Sequence, residues 1–159
     1  MINNIQLSAY VTINCAIACG ILSKVKINEN IEAVARTNST TPDKEAVFNN
    51  TVGISSIFTA QTRVVEELVR SINKRYPEKL IILGGVNARS QLERFFNAGA
   101  DLICLSEAEL TIVEIGKVLR SGSRDFSSIS GLAGKDGFIN KQLSVLQNLD
   151  ELPIPAWEM

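Results

Sequence analysis

The sequence predicts an α/β protein built on a doubly wound, five-stranded parallel sheet, followed by a β-hairpin and an extended linker. Two observations carry that prediction. From about Thr51 to Leu119, short apolar runs rich in Ile, Leu and Val alternate with longer segments of helical periodicity. The apolar runs are continuous rather than alternating with polar residues, which marks strands covered on both faces, as in parallel sheets flanked by helices.

The elements are justified in chain order. In the first fifty residues, "IQLSAY" reads as a first strand and "TINCAIACGILSK" as a helix carrying Ile13, Ile17 and Leu22. "NIEAVARTN" reads as a second strand, and "TPDKEAVFNN" as a short helix with Pro42 in its first turn, where a missing N–H costs nothing. "TVGISSI" is the third strand. Val65, Leu68, Val69 and Ile72 follow at i, i+3, i+4 and i+7 in "TRVVEELVRSINKRYP", an amphipathic helix that Pro77 ends. "KLIILGG" is the fourth strand. The helix after it is expected to begin at Ser90, where "SQLE" has capping-box spacing, to bury Leu92, Phe95 and Phe96, and to stop at Gly99. "DLICLS" is the fifth strand, and "SEAE" repeats the capping-box spacing at Ser106 and Glu109 for a helix ending near Gly122. Right-handed crossovers would lay these strands parallel in a flavodoxin-like order.

Beyond Gly122 the pattern changes. "ISGLAGKDGFINKQ" reads as a hairpin turning at Lys135-Asp136-Gly137, and "NLDELPIPAWEM" as an extended segment, because each proline biases its predecessor away from helix. Residues 1–125 are therefore assigned to the α/β domain, 126–148 to the hairpin extension and 149–159 to a linker.

Composition narrows the function. Sixteen basic and seventeen acidic residues leave a net charge of −1 with no basic block, which argues against nucleic acid. No apolar stretch approaches the ~20 residues of a membrane span and no signal peptide is legible, so a cytoplasmic protein is expected. Three cysteines and no histidine argue for reduced thiols and remove the commonest general base. Cys15 and Cys19 resemble the first two ligands of a Cys-X3-Cys-X2-Cys cluster motif, but the third place holds Leu22, so these cysteines and Cys104 read as core residues. A phosphoacceptor domain would need acidic residues where Tyr10 and Ser55 stand. A quarter of a β/α barrel, suggested by "GGVNARSQLERFFNAGADLICL", would need a chain of about 250 residues to be completed.

Ligands of open parallel sheets bind beyond the carboxyl ends of the strands. The residues there are Tyr10, Thr12 and Asn14; Ser55, Ser56 and Thr59; Gly84, Gly85, Val86 and Asn87; and Ser106 and Glu107. They offer hydroxyls, backbone amides and small side chains instead of strong acids or nucleophiles, a composition suited to holding a large ligand. Gly84 and Gly85 admit close backbone approach, or simply make the strand-to-helix turn. Ser55 and Ser56 donate to a ligand or cap the next helix.

Five signals occur in order: "VGISS", "IILGGVNA", "GADLICLSEAELTIVEI", the hairpin "ISGLAGKDGFI" and "LDELPIPAWEM". Over about Thr51 to Trp157 they resemble the cobalamin-binding domain at the front of many radical S-adenosylmethionine enzymes. The resemblance implies a Rossmann-like fold with cobalamin across the carboxyl edge, held by Ser55, Ser56, Thr59, Gly84, Gly85, Val86, Asn87, Ser106 and Glu107. It also implies a radical barrel elsewhere in the same parent chain, bearing the 4Fe-4S cluster and S-adenosylmethionine, for methyl transfer or radical rearrangement. The family's Gly-Glu-Gly-Glu is Ser106-Glu107-Ala108-Glu109 here, and its glycine-turn histidine is Asn87. With no histidine, cobalamin would bind without an imidazole ligand from the protein. These departures leave a second expectation, a cofactor-free structural or partner-docking domain of the same fold.

Overall fold

In a computed structural model of the chain, the described residues are 51–142. The expected strands "IQLSAY" and "NIEAVARTN", the helices "TINCAIACGILSK" and "TPDKEAVFNN", Cys15, Cys19, and the linker 149–159 lie outside them.

The described elements are β1 (Thr51–Ser55), a 3-10 turn (Thr59–Gln61), α1 (Thr62–Arg75), β2 (Leu80–Gly84), α2 (Val86–Ser90), α3 (Leu92–Ala98), β3 (Leu102–Cys104), α4 (Glu109–Arg120), β4 (Leu132–Gly134) and β5 (Ile139–Asn140). The five strands lie in one sheet in chain order. β1, β2 and β3 are parallel, with Val52 opposite Ile81 and Ile82 opposite Leu102. β4 runs antiparallel to β3, and β5 antiparallel to β4.

The expectation of a wholly parallel sheet is thus corrected: the sheet is mixed. After α4 the chain does not continue into another crossover. It returns through residues 121–131, burying Phe126 and Ile129 beneath it, and then turns at Gly131 (φ 70°) to run back along β3. The Leu105 N–H donates to the Gly131 carbonyl, and Lys135 N–H to the Asp101 carbonyl, so the hairpin closes the open edge of β3 instead of standing apart from it. Its turn has the expected chemistry. Gly137 N–H donates to Gly134 O, Gly134 N–H donates to Phe138 O, and Gly137 takes the positive φ of 93°.

Period-two alternation divides the core between the two faces of the sheet. Val52, Ile54, Ile81, Leu83 and Ile103 meet Val65, Leu68, Val69 and Ile72 of α1 with Ala88, Phe95 and Ala98 of α2 and α3. Leu80, Ile82, Leu102, Cys104 and Leu132 face Ile112 and Ile115 of α4, with Phe126, Ile129 and Phe138. The helices therefore cover both faces, as the unbroken apolar strands require. α1 ends as its sequence dictates, on Tyr76 before Pro77, with Lys74 and Arg75 in its last turn opposing the dipole. α3 ends on Gly99 at φ 108°.

Both capping boxes are corrected. Helix begins before Ser90, not at it, because the Asn87 and Ala88 amides are already satisfied by the Ser56 carbonyl. Ser90 is the last residue of α2, and its hydroxyl donates to the Asn87 carbonyl; Gln91, non-helical at φ −135° and ψ 47°, then separates α2 from α3. Ser106 likewise turns its hydroxyl to the Glu107 carbonyl, and α4 starts behind Ala108 with no side-chain cap.

One ion pair ties α1 to α3. Arg94 donates through Nε to Glu66 Oε1 at 2.8 Å and through Nη2 to Glu66 Oε2 at 2.9 Å, while Arg70 stands 3.7 Å away. The Arg94 hydrogen bonds outweigh the opposing effect of burial and hold the Glu66 carboxyl below its ordinary value of 4.5. A carboxyl with a depressed folded pKa adds stability that is complete above its unfolded value and disappears as pH falls through the folded one. Glu66→Gln is therefore expected to be less stable than the parent at pH 7, with the difference shrinking as pH drops below 4.5. Urea denaturation across that range measures it; a constant difference would contradict the assignment.

Candidate functional site

The carboxyl ends of β1, β2 and β3 lie side by side, because these strands are neighbours and parallel. Ser55 and Gly84 are register partners at that edge. The sheet brings Ser55 and Ser56, at the end of β1, against Gly84, Gly85 and Asn87, at the end of β2 and the start of α2, with Thr59 in the 3-10 turn and Val86 at the first position of α2. Ser106 and Glu107 follow β3, one strand further along.

The expected ligand-facing residues divide into two groups. Ser56 and Asn87 are buried, at 0% and 2% exposure, and their side chains turn inward. Asn87 Nδ2 donates to Ser56 Oγ at 2.8 Å and to Thr62 Oγ1 at 3.0 Å, and Gln91 Nε2 donates to Asn87 Oδ1 at 2.8 Å. The main chain is bound equally closely: Ser56 N–H donates to Gly84 O, and Ser56 O accepts from Asn87 and Ala88. These residues hold the loops together and present no side-chain donor to a ligand. Thr59 also has a structural part, its carbonyl accepting from the Thr62 hydroxyl.

The second group is open. Ser55, Gly84, Gly85 and Ser106 are half-buried, and Val86 and Glu107 are exposed. A methyl group at Gly84 would meet no heavy atom within 4 Å, so the main chain there is open to approach. Gly85 is different. It sits at φ 97°, and a methyl group on it would lie 2.5 Å from the Ser56 carbonyl oxygen. Of the two readings of the glycine pair, backbone access describes Gly84 and the obligatory turn describes Gly85.

Ile57 and Phe58 were not among the expected site residues. They are 44% and 56% exposed, and Val86 across the loop boundary is 56% exposed. Large apolar side chains at the end of a buried strand ordinarily continue into the core; here three are exposed at the carboxyl edge, Ile57 and Phe58 after β1 and Val86 at the start of α2, and make that edge an apolar shelf. The signal was present in the sequence as an Ile-Phe pair placed after the serines and before the helix.

Acid–base chemistry is sparse. Burial, with the Glu109 carboxylate adding to it, pushes the Cys104 thiol up to about 12, so it behaves as a core residue and not as a nucleophile. Asp101 is used structurally: its carboxylate accepts from the Ile81 amide at 2.7 Å and from the Lys135 ammonium at 2.5 Å. Among the described residues, no group of three or more Cys, Asp or Glu side chains is placed to hold a metal ion. No helix among them is long and apolar enough to cross a membrane. The edge thus presents open main chain, apolar side chains and a few hydroxyls. Comparison of the chain with known protein families, with curated proteins and with solved structures finds no match.

Proposed function

We propose that this chain is a cobalamin-binding module of a radical S-adenosylmethionine enzyme, with the corrinoid lying over the carboxyl edge of a doubly wound, Rossmann-like sheet. The observation that carries the reading is the exposed shelf of Ile57, Phe58 and Val86 beside the open main chain of Gly84. A corrin ring is broad and largely apolar, with amide side chains at its rim. Such a ligand fits an edge of this composition better than a phosphate or a small acid would, since the edge carries little charge. Helices on both faces support the doubly wound arrangement.

In this reading Ser55, Thr59, Gly84, Val86, Ser106 and Glu107 are the residues positioned to meet cobalamin, while Ser56 and Asn87 shape the loops beneath it. Cobalamin would supply a cobalt-bound methyl group or assist a rearrangement in the parent enzyme. The protein's part is to bind and orient it, without a histidine ligand. The iron-sulfur cluster, S-adenosylmethionine and substrate would belong to a barrel domain of the same parent.

The experiment is direct. The purified chain mixed with hydroxocobalamin and desalted is expected to retain a corrinoid absorption spectrum in the protein fraction, reduced when Phe58 and Val86 are both replaced by serine. A colourless fraction from the unaltered chain would sink the proposal.

A second reading, a cofactor-free docking or structural domain, is favoured by one observation: the Ser56 and Asn87 side chains are consumed by each other and by Thr62 and Gln91. It predicts that no corrinoid shifts the melting temperature.

A further inference from the structure

The polar cluster beneath the shelf is closed, and its stoichiometry is specific. Thr62 has one hydroxyl proton, and its shortest acceptor is the Thr59 carbonyl at 2.8 Å. Its oxygen is then free to accept from Asn87 and from Gln91 Nε2, the latter at 3.2 Å. Asn87 spends both amide protons, on Ser56 and Thr62, and its carbonyl oxygen accepts from Gln91. Two donors and one acceptor at one short side chain is what a primary amide provides and what a carboxylate, an imidazole or an alkyl group does not. Among the described residues no buried side-chain nitrogen or oxygen lacks a partner, so removal of the amide would leave Ser56, Thr62 and Gln91 short together.

Two members of the cluster adjoin the shelf residues in the chain. Ser56 directly precedes Ile57 and Phe58, Asn87 directly follows Val86, Thr62 opens α1, and Gln91 joins α2 to α3. The shelf side chains themselves are exposed and have little packing to fix their separation.

We propose that Asn87 is a positioning residue of the carboxyl edge: its amide clamps the loop bearing Ile57 and Phe58 to the start of α2, which bears Val86, and so sets the width of the ligand face. The proposal rests on the reading of this edge as a corrinoid site, and its test has one arm that does not.

In the ligand-free arm, Asn87→Leu keeps the approximate volume and removes all three hydrogen bonds. Hydrogen exchange is expected to speed up roughly tenfold or more at the amides of residues 87 and 88, which donate to Ser56 O, with little change at Leu83 and Ile103. Equal acceleration in β2 and β3 would show a merely global loss of stability and would overturn the clamp, as would unchanged exchange at the loop. The Thr62 pair covers the case in which Asn87→Leu fails to fold: Thr62→Ser keeps the hydroxyl and is expected to exchange like the parent, whereas Thr62→Val is expected to resemble Asn87→Leu.

In the ligand arm, hydroxocobalamin affinity is expected to fall roughly tenfold in Asn87→Leu and Thr62→Val and to be retained in Thr62→Ser. Parent and variants binding equally well would overturn the positioning role. If the parent itself retains no corrinoid, the proposed function fails, and the exchange arm still decides whether the clamp exists.

Discussion

Gly85→Ala is expected to destabilise the protein by about 3 kcal/mol or more, one of the largest single-residue effects available in it. Two costs act together. At φ 97° an alanine occupies a region that L-residues rarely adopt, and its methyl group would lie 2.5 Å from the Ser56 carbonyl oxygen and 2.9 Å from the carbonyl carbon. The obstacle is main chain and cannot rotate away. It is also the carbonyl that accepts from Asn87 and Ala88, so relief by movement would pull on both hydrogen bonds. Gly84→Ala is the matched control: with no heavy atom within 4 Å of the added methyl group, it is expected to change stability by less than about 1 kcal/mol. Urea denaturation of the two variants side by side measures the contrast. Similar losses at both positions would show that the tight approach of Gly85 to Ser56 is not what constrains this turn.

Phe95→Ala is the second large effect, with an expected loss of about 3–5 kcal/mol. Phe95 is fully buried in the cluster where α1, α2 and α3 meet the sheet. It is also the residue whose carbonyl accepts from the Ala100 amide as the chain leaves α3 for β3. Truncation removes the ring and leaves a cavity bounded by strands on one side and a helix pinned by the Arg94 to Glu66 pair on the other, a place with little freedom to collapse. Phe96, one residue on, is only partly buried against the same cluster, and its truncation is expected to cost less than that of Phe95. Thermal or chemical denaturation of both variants checks the order; equal losses would mean that the α3 stripe is placed differently from the way its burial indicates.

The apolar strands and the long helix were legible because one strong pattern governs each of them. Val65, Leu68, Val69 and Ile72 can share a face only in a helix, and "LIIL" is too short and too uniformly apolar for anything but a strand covered on both sides. The hairpin itself was legible, but its antiparallel pairing with β3 was not. Neighbouring strands pair through the main chain, and nothing in "GLAG" states whether it runs with β3 or against it. Capping boxes misled for a related reason. "SQLE" and "SEAE" have the right spacing, but the Ser56 carbonyl, distant in sequence, supplies the start of α2 from outside. Ser55, Ser56, Gly84, Gly85 and Asn87 do share one edge of the sheet, yet a sequence does not state which way a side chain turns. The inward commitment of Ser56 and Asn87 depends on Thr62 and Gln91, which lie beyond both loops.

The strand order of the sheet has a consequence for how this region assembles. Among the described residues each strand pairs with the strand that follows it in the chain, from β1 through β5. Each of these pairings can therefore be made by closing a single short excursion. Folding rates rise as contacts become local in sequence. A parallel sheet is ordinarily a slow object to build, but here β2 and β3 can dock onto a β1–α1 nucleus in turn, and the antiparallel hairpin can zip onto the last of them.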